Sequence, residues 1–251
     1  MLNKENEGLP SNPPIWLDLV VGVGHQNPLM MKTTITLLSF LFTFLVMEAS
    51  PRVQPPTLTE LGFTQIFDGK TFQGWEGNME YFRIEDGAVV AGRQDKRIPN
   101  NEFLVTKKEY KDFELRFEAK LVGQGNNAGV QFWSQRIPNH HEMIGFQCDI
   151  GGWSKGAIWG FLYDESRRRK MLAQLPQDVL AEHVKPKGEW NQMRVRAECS
   201  HIQIWLNGFK TVDYTEPEPA KDIPRDGRFG LQIHSGPPLE CWYRNIWVKE
   251  L

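Results

Sequence analysis

The sequence predicts an all-β fold in which two antiparallel sheets pack face to face as a sandwich or jelly roll. Residues 113–121 alternate strictly between apolar and polar side chains, which is typical of a half-buried antiparallel strand. Asp86-Gly87 and Asn207-Gly208 each separate two strand-like segments, as expected of type I′ hairpins. Helical periodicity is confined to one short segment, residues 177–183.

The same two-residue period and the turn residues around it place the remaining strands. We expect them at residues 64–67, 82–84, 88–91, 103–106, 128–134, 143–150, 157–162, 193–197, 202–206, 209–214, 228–234 and 241–250. The first and last of these strands should pair, because sandwiches commonly bring their termini together. No internal repeat at the spacing of propeller blades is present, which disfavours a propeller.

Composition narrows the class of protein. The chain has 251 residues, of which 24% are charged and 40% hydrophobic, so it is neither disordered nor a multi-span membrane protein. The formal net charge of −2 gives no general attraction for polyanions, and we expect no nucleic-acid partner. Cys148, Cys199 and Cys241 are too few for a disulfide scaffold and match no metal-knuckle spacing.

The N-terminal region contains an uncharged run at residues 33–47, directly after Lys32. Fifteen helical residues span about 22 Å, less than the roughly 30 Å hydrocarbon core of a bilayer. We therefore interpret residues 31–49 as a signal peptide, residues 1–30 as an over-extended N-terminus and residues 50–60 as a Pro-rich linker. The expected location is secreted or periplasmic, without a stable membrane partner. The alternative is a membrane anchor formed by the same apolar run.

The single domain expected over residues 61–251 carries two polar clusters close together in sequence. His141 and Glu142 follow His140 and could bind a metal or act as base and acid, or could belong to a solvated loop. Gln147 and Asp149 share one face of a strand, with Gly145 leaving open space beside them. Alternatively, Gln147 and Asp149 lie on a solvated outer face of the sheet. Cys148, which stands between them, should point into the core.

Two further clusters follow. Residues 163–170 place paired carboxylates beside four cations; this segment could supply an acid and an Arg that fixes a substrate oxygen, or it could form a solvated hairpin loop. Gln232 and His234 should face away from the core, since the neighbouring apolar residues face it. Nucleophile-elbow, phosphate-loop and dinucleotide fingerprints are absent from the sequence, and so is the strand signature of two-carboxylate sandwich glucanases.

Taken in chain order, these motifs resemble the 3-keto-disaccharide hydrolase (3-keto-glucoside-1,2-lyase/hydratase) domain family, formerly a domain of unknown function, of the concanavalin A-like, laminin-G-like superfamily. The matching segments are residues 66–70, 74–75, 113–115, 127–132, 145–149, 160–164, 190–191, 204–208, 230–234 and 243–247. The chain departs from the family pattern at Trp133, where Arg is common, and at Gly145, where Glu is common. The resemblance implies a jelly-roll enzyme that cleaves 3-keto-glycosides, with a neutral saccharide as substrate.

The resemblance also implies roles for particular residues. A C3 ketone acidifies the proton on C2, so a base can remove that proton while O1 leaves, and hydration completes the reaction. A divalent metal on the C3 oxygen would be held by His and carboxylate groups. The implied base or metal ligands are His141, Glu142 and His234, and the implied acid is Tyr163 or Glu165. The residues implied to contact the sugar are Glu102, Gln131, Trp133, Gln147, Asp149, Arg168 and Gln232.

Two classes of non-enzyme remain as alternatives. Laminin-G-like sandwiches often bind glycans without chemistry, and Trp133, Trp153 and Trp159 could stack on sugar rings. The second alternative is a surface module that binds another molecule and has neither a catalytic pocket nor an aromatic strip. Convergence of His141, Glu142, Gln147 and His234 in one pocket would favour catalysis, and a flat aromatic strip would favour binding.

Overall fold

The computed structural model describes residues 56–217 and 223–251. These residues form two antiparallel sheets of eight strands each and one short helix, α1 (Gln177–Ala181), which confirms the expected sandwich. The expectations for residues 1–30, for residues 31–49 and for most of residues 50–60 lie outside the described residues. Within the described ranges, no helix has the length and apolar character needed to cross a membrane.

The strands are numbered in chain order, and the first sheet holds the C-terminal strand near its centre. Its members are β1 (Thr64–Gln65), β3 (Phe82–Glu85), β4 (Ala88–Arg93), β6 (Phe113–Gly123), β12 (Asn191–Glu198), β13 (His201–Leu206), β14 (Phe209–Thr215) and β16 (Leu239–Glu250). They are ordered β14-β13-β12-β6-β16-β4-β3, and β1 pairs with β16. The pairing of β1 with β16 confirms that the first and last strands meet.

The second sheet carries most of the polar motifs. Its members are β2 (Trp75–Glu76), β5 (Glu102–Thr106), β7 (Asn127–Arg136), β8 (Met143–Trp153), β9 (Gly156–Ala157), β10 (Leu162–Glu165), β11 (Lys170–Ala173) and β15 (Arg228–Ile233). They are ordered β11-β10-β8-β7-β15-β5-β2, and β9 pairs with β8. Strands far apart in sequence, such as β7 and β15, are therefore neighbours.

Both dipeptide turns have the conformation that their residues predict. Asp86 and Gly87 have φ values of 49° and 71°, and Asn207 and Gly208 have values of 49° and 87°. Two successive positive φ angles are the mark of a type I′ turn, whose twist matches that of the strands it joins. These turns fix the register of β3 with β4 and of β13 with β14.

The core lies between the sheets and is rich in aromatic rings. Phe113 of the first sheet meets Phe132, Trp133 and Phe229 of the second at centroid distances of 6.0, 6.2 and 4.7 Å, all edge to face. Tyr243 crosses the core, and its hydroxyl lies 2.6 Å from the carbonyl oxygen of Gln232. A buried phenol needs such a partner, so this contact fixes the spacing between the sheets.

The expectation of one strand over residues 157–162 is wrong. Only Ala157 and Leu162 belong to strands, and a turn separates β9 from β10. The turn requires Gly160, whose φ is +69° and where an added Cβ would lie 2.8 Å from the Thr211 hydroxyl. Ile158 and Phe161 lie in this turn and are buried in the core. Their apolar side chains give residues 157–162 the sequence pattern of a buried strand, although the segment is not one continuous strand. The short strands β2 and β11 were not expected.

The expectation that Trp133 contacts a sugar is also wrong. Strand β7 contains a bulge, where the pairing register with β8 shifts between Phe132 and Gln135 and Trp133 has a φ of 48°. A bulge re-aims the side chains that follow it. Trp133 therefore turns into the core, where it is 1% exposed and donates its indole N–H to the carbonyl oxygen of Lys111. Trp159, at 6% exposure, is likewise a core residue.

Candidate active site

The outer face of the second sheet gathers side chains from adjacent strands. Gln147 of β8 pairs in register with Tyr163 of β10, and Gly145 pairs with Glu165. Residues directly opposite one another point to the same face, and so do residues two apart on one strand. Gln147, Asp149, Tyr163 and Glu165 therefore share one face, as the alternation along residues 143–149 predicts. Cys148 points to the other face and is buried.

Neighbouring strands complete this face. Gly129 of β7 pairs with both Asp149 and Gln232. A Cβ at Gly129 would lie 2.6 Å from the carboxamide carbon of Gln147, so the glycine lets that side chain lie across β7. From there Nε2 of Gln147 donates to Oδ1 of Asp149 at 2.9 Å and lies 3.4 Å from Oε1 of Gln232.

A cavity of about 160 Å³ opens above these side chains. Its lining is polar apart from one indole and comes from three strands and two loops: Asn101, Asn127, Gln147, Asp149, Trp153, Tyr163, Glu165 and His234. We call this the acid cavity, after Asp149 and Glu165. Gln147 and Asp149 are 2% and 1% exposed, so they do not lie on a wet outer face.

Asn101 connects the loops that reach the acid cavity. Its Oδ1 accepts a hydrogen bond of 2.8 Å from the backbone N–H of Ser235, next to His234. Its Nδ2 donates to Oε1 of Glu142 at 2.9 Å. Nδ1 of His141 lies 3.6 Å from the same Glu142 oxygen. Gln147 and His234 thus line the cavity directly, while Glu142 is held by a lining residue and His141 lies against Glu142.

Burial changes the titration of the two cavity carboxyls. It raises the pKa of Asp149 well above the ordinary range, and the negative charge of Glu165 adds to that effect while the bond from Gln147 opposes it. Burial also raises the pKa of Glu165, with a further increase from the charge of Glu142, and the hydrogen bond from the Ser166 backbone N–H opposes that increase. Both carboxyls therefore keep a proton to higher pH than solvated ones, and this favours proton transfer in the cavity.

The tyrosine of the cavity responds to the same surroundings. Burial raises the pKa of Tyr163, and the charges of Glu165 and Asp149 raise it further. Its hydroxyl therefore stays protonated at neutral pH and is available as a hydrogen-bond donor.

Several buried polar atoms on this face have no hydrogen-bond partner among the described residues. They are Asn127 Oδ1, Gln131 Oε1 and Nε2, Glu142 Oε2, Gln147 Oε1, Asp149 Oδ2 and Gln232 Nε2. Buried polar groups are nearly always paired with protein, water or ligand. A group of unpaired donors and acceptors in one place fits a ligand rich in hydroxyl groups. Gln131 and Gln232 lie on this face but beneath the lining, since both are fully buried.

Arg168 lies outside the lining of the acid cavity, contrary to its expected contact with substrate. It is paired with the fully buried Asp164 and, at 2.6 Å between Nη1 and Oε1, with the buried Glu216. Arg167 pairs with the same Asp164 at 2.9 Å, and its guanidinium lies over the ring of Phe146. This segment is therefore not a freely solvated loop. The ion pairs anchor the β10–β11 hairpin that carries Tyr163 and Glu165.

The structure also differs from the expectations for Gly145 and for Glu102. Gly145 does not leave open space, because an added Cβ would lie 1.9 Å from the Ser134 hydroxyl. Because Gly145 has no side chain, Ser134 can pack against it, and the bulge in β7 brings Ser134 close. Glu102 lies outside the cavity lining, with its carboxylate 3.5 Å from Nδ2 of Asn78, and burial raises its pKa.

The residues expected to hold a metal do not form a ligand set. Among residues 56–217 and 223–251, no group of three or more His, Cys, Asp and Glu side chains is arranged to hold a metal ion. Glu142 instead accepts a bond from Asn101, and Nδ1 of His234 lies 2.7 Å from the carbonyl oxygen of Ser235. His141, Glu142 and His234 therefore do not fit a three-residue metal site.

Sequence reasoning did not select Asn101 or Asn127, and it considered Trp153 only as one of three stacking candidates. Asn101 comes close to Ser235 and Glu142 only through the fold, so no local pattern marks it. Asn127 begins a segment that resembles the family, which was the available signal. Trp153 is 42% exposed at the end of β8 and meets the Tyr163 ring edge to face at 5.6 Å.

Solved structures with the same architecture include a candidate glycosyl hydrolase from Parabacteroides distasonis, 21% identical, with a TM-score of 0.58. The alignment covers 79% of this chain and 98% of that one. The carbohydrate-binding module CBM66 from Bacillus subtilis is 12% identical, with a TM-score of 0.52 and coverage of 70% and 96%. At these identities the likeness establishes the fold alone.

Sequence comparison is more specific. A curated relative, the 3-keto-disaccharide hydrolase of Bacteroides thetaiotaomicron, is 25% identical over 76% of this chain and 79% of its own length. Residues 62–249 match the sequence model of the 3-keto-alpha-glucoside-1,2-lyase-like domain. The match spans nearly all of the sandwich, including every residue that lines the acid cavity. The chain therefore belongs to the family of 3-keto-alpha-glucoside-1,2-lyase-like domains.

Proposed function

We propose that this chain is an exported enzyme that cleaves the glycosidic bond of 3-keto-glycosides by elimination followed by hydration. The observation that carries the proposal is the convergence of Asp149, Tyr163, Glu165 and His234 in one small polar cavity. Family membership and the name of the Bacteroides thetaiotaomicron relative support the same substrate class. We further infer export from the apolar run after Lys32.

The elimination needs three groups on the protein. A base takes the proton from C2, the C2–H electron pair forms a C1=C2 double bond, and the C1–O1 bond breaks. Negative charge builds on the C3 oxygen as the proton leaves, so hydrogen-bond donors must stabilise that oxygen. O1 departs with a proton from an acid. The products are the alcohol and a conjugated enone sugar.

His234 suits the role of base. A carbonyl oxygen can only accept, so the 2.7 Å contact with Ser235 places the proton of neutral His234 on Nδ1. Nε2 then carries a lone pair and can take the C2 proton. The bond from Ser235 N–H to Asn101 fixes the loop that holds this imidazole.

Asp149 and Tyr163 suit the role of hydrogen-bond donors to the C3 oxygen. Burial raises the pKa of both groups, which favours the protonated forms that can donate hydrogen bonds. Oδ1 of Asp149 accepts from Gln147, and its Oδ2 has no partner among the described residues, so the carboxyl proton on Oδ2 can reach the substrate. A neutral carboxylic acid beside a tyrosine hydroxyl also stabilises the oxyanion in ketosteroid isomerase. Enolate formation next to a ketone is the step common to both reactions.

Glu165 suits the role of the acid that protonates O1. Burial and the nearby charge of Glu142 raise its pKa and so keep the proton on it. After the alcohol leaves, water adds to the enone in the reverse sense. The Glu165 carboxylate takes a proton from the water whose oxygen bonds to C1, and protonated His234 returns a proton to C2. Atoms balance as net hydrolysis, and both groups regain their starting protonation.

The remaining polar atoms on this face suit the sugar hydroxyls. Gln147 and Asn127 line the cavity and each has a buried amide oxygen without a partner among the described residues. Gln232 lies beneath them with its Oε1 3.4 Å from Nε2 of Gln147, and the buried Gln131 carries two further polar atoms without a partner among the described residues. Glu142 accepts the hydrogen bond that positions Asn101, and its charge raises the pKa of Glu165, while His141 lies against Glu142.

Turnover of defined substrates by the purified protein tests the proposal. The substrates are a 3-keto-disaccharide and its unoxidised parent, each with and without a chelator. We expect cleavage of the keto-sugar alone, with little effect of chelation. Failure to cleave any keto-sugar, with both substrates merely bound, would support the rival binding module. Equal cleavage of both substrates would contradict the role of the ketone.

A further inference from the structure

We infer that the leaving group of the substrate occupies a second cavity beside the acid cavity, with Trp153 as its platform. This inference rests on the proposed function. The second cavity, which we call the leaving-group cavity, has a volume of about 240 Å³. It shares Asn127, Trp153 and His234 with the acid cavity. The two are therefore contiguous, and their common wall contains the proposed base.

The chemistry of the two linings assigns the two halves of the substrate. Asp149, Tyr163 and Glu165 line only the acid cavity. The ring that loses the C2 proton must lie among them. The leaving-group cavity has His234 as its sole titratable side chain and is otherwise formed by residues such as Ser235, Gly236 and Pro237. A group that only departs needs no proton transfer beyond the one to O1, so this second lining suits it.

The scissile bond then crosses the shared wall. His234 and Trp153 belong to both cavities. His234 and Glu165 also line the acid cavity together, so the imidazole and the proposed acid lie close to each other. A bond that passes between the cavities would place C2 and O1 beside these two groups, as the elimination requires.

Trp153 suits a sugar or another neutral ring. Its side chain is 42% exposed, and its edge-to-face contact with Tyr163 holds the indole in place. Among the described residues, no Lys or Arg lies over its ring, whereas Lys120 covers Trp242 and Arg194 covers Trp205. No Lys, Arg, Asp or Glu lines the leaving-group cavity within the part of the chain that is described. The occupant is therefore a neutral group with a flat apolar face, such as a hexose.

The test compares two substrates with the same 3-keto-glucosyl group and anomeric configuration. One releases glucose and the other, a methyl glycoside, releases methanol. We expect Trp153→Ala to lower kcat/KM about tenfold more for the disaccharide than for the methyl glycoside, the factor that corresponds to about 1.4 kcal/mol. Trp153→Phe should restore most of the loss. Trp242→Ala, a half-exposed Trp of the other sheet, is the matched control and should change neither value.

Each result decides one question. An equal loss on both substrates would overturn the leaving-group cavity while leaving the proposed function intact. Absence of turnover of both substrates by the wild type would overturn the proposed function. Inhibition by free glucose gives a second measurement: it should be weaker in Trp153→Ala than in the wild type. Equal inhibition would also overturn the inference.

Discussion

Nε2 of Gln147 donates a 2.9 Å hydrogen bond to Oδ1 of Asp149, two positions along the same strand. The bond uses one carboxyl oxygen and leaves the other without a partner among the described residues. Burial raises the pKa of this carboxyl well above the ordinary range and so favours its protonated form. The pair therefore presents a neutral acid to the cavity, and the account of the C3 oxygen depends on it.

Asp149→Asn should become more stabilising as the pH rises. A carboxyl whose folded pKa exceeds its unfolded value contributes stability that is complete below about pH 4 and is lost as the pH rises through the folded pKa. Asn stays neutral and avoids that loss. We expect the Tm of the variant, relative to wild type, to increase as the pH rises above about 4.

Asp213→Asn is the control for this trend. Hydrogen bonds from Lys210, His201 and Gln203 lower the pKa of the exposed Asp213, so its replacement should give no such gain. A Tm difference for Asp149→Asn that is constant with pH would show that Asp149 titrates normally.

Glu142→Gln should shift the pH profile of catalysis. The negative charge of Glu142 helps to raise the pKa of Glu165, so its removal lowers that pKa. Because Glu165 must be protonated to release the alcohol, the descending limb of kcat/KM should move to lower pH. Glu118→Gln, on the other sheet, should leave the limb in place. A limb that stays fixed in Glu142→Gln would argue against Glu165 as the acid.

Arg168→Ala should destabilise the fold rather than weaken substrate binding directly. The variant leaves the buried Glu216 without its partner and removes one of two cations from Asp164. Loss of one member of a buried ion pair costs about 3 kcal/mol. Urea unfolding should show this decrease, and Lys170→Ala in the same hairpin should change stability by less than about 0.5 kcal/mol. A fully stable Arg168→Ala variant would contradict the anchoring role.

Trp133→Ala and Trp153→Ala should differ sharply in stability although both replace an indole. Trp133 is 1% exposed in the core, and a truncation there costs about 3–5 kcal/mol. Trp153 is 42% exposed, so its loss should change the free energy of unfolding by about 0.5 kcal/mol or less. Thermal unfolding of the two variants measures the contrast, and similar losses would contradict the bulge that turns Trp133 inward.

The proposed export of the protein leads to a separate prediction about its N-terminus. The mature protein recovered from the medium or periplasm should begin at Ser50, because the signal is expected to end at Ala49. N-terminal sequencing measures this directly. Recovery of residues 3–26 in exported protein would contradict both the signal and the over-extended N-terminus.

Local patterns predicted the parts of the fold that depend on local geometry. Alternation along residues 143–149 placed Gln147 and Asp149 on one face, and Asn207-Gly208 predicted its hairpin. The same rule failed at Trp133, because a bulge breaks the alternation and nothing in the neighbouring residues marks it. Asn101 acquires its role from contacts with Ser235 and Glu142, which are distant in sequence. Such contacts depend on strand order, which alternation does not encode.

Transfer of deuterium from solvent to C2 tests the central claim most directly. The enzyme is run in D₂O on a 3-keto-disaccharide, and the released 3-keto-glucose is examined by NMR at early times, with the exchange in the absence of enzyme subtracted. If His234 removes the C2 proton and hydration returns one, each product molecule should carry deuterium at C2. Product that keeps its original hydrogen at C2, from a substrate whose deuteration at C2 does not slow turnover, would show that the glycosidic bond breaks without proton abstraction, and would contradict the account.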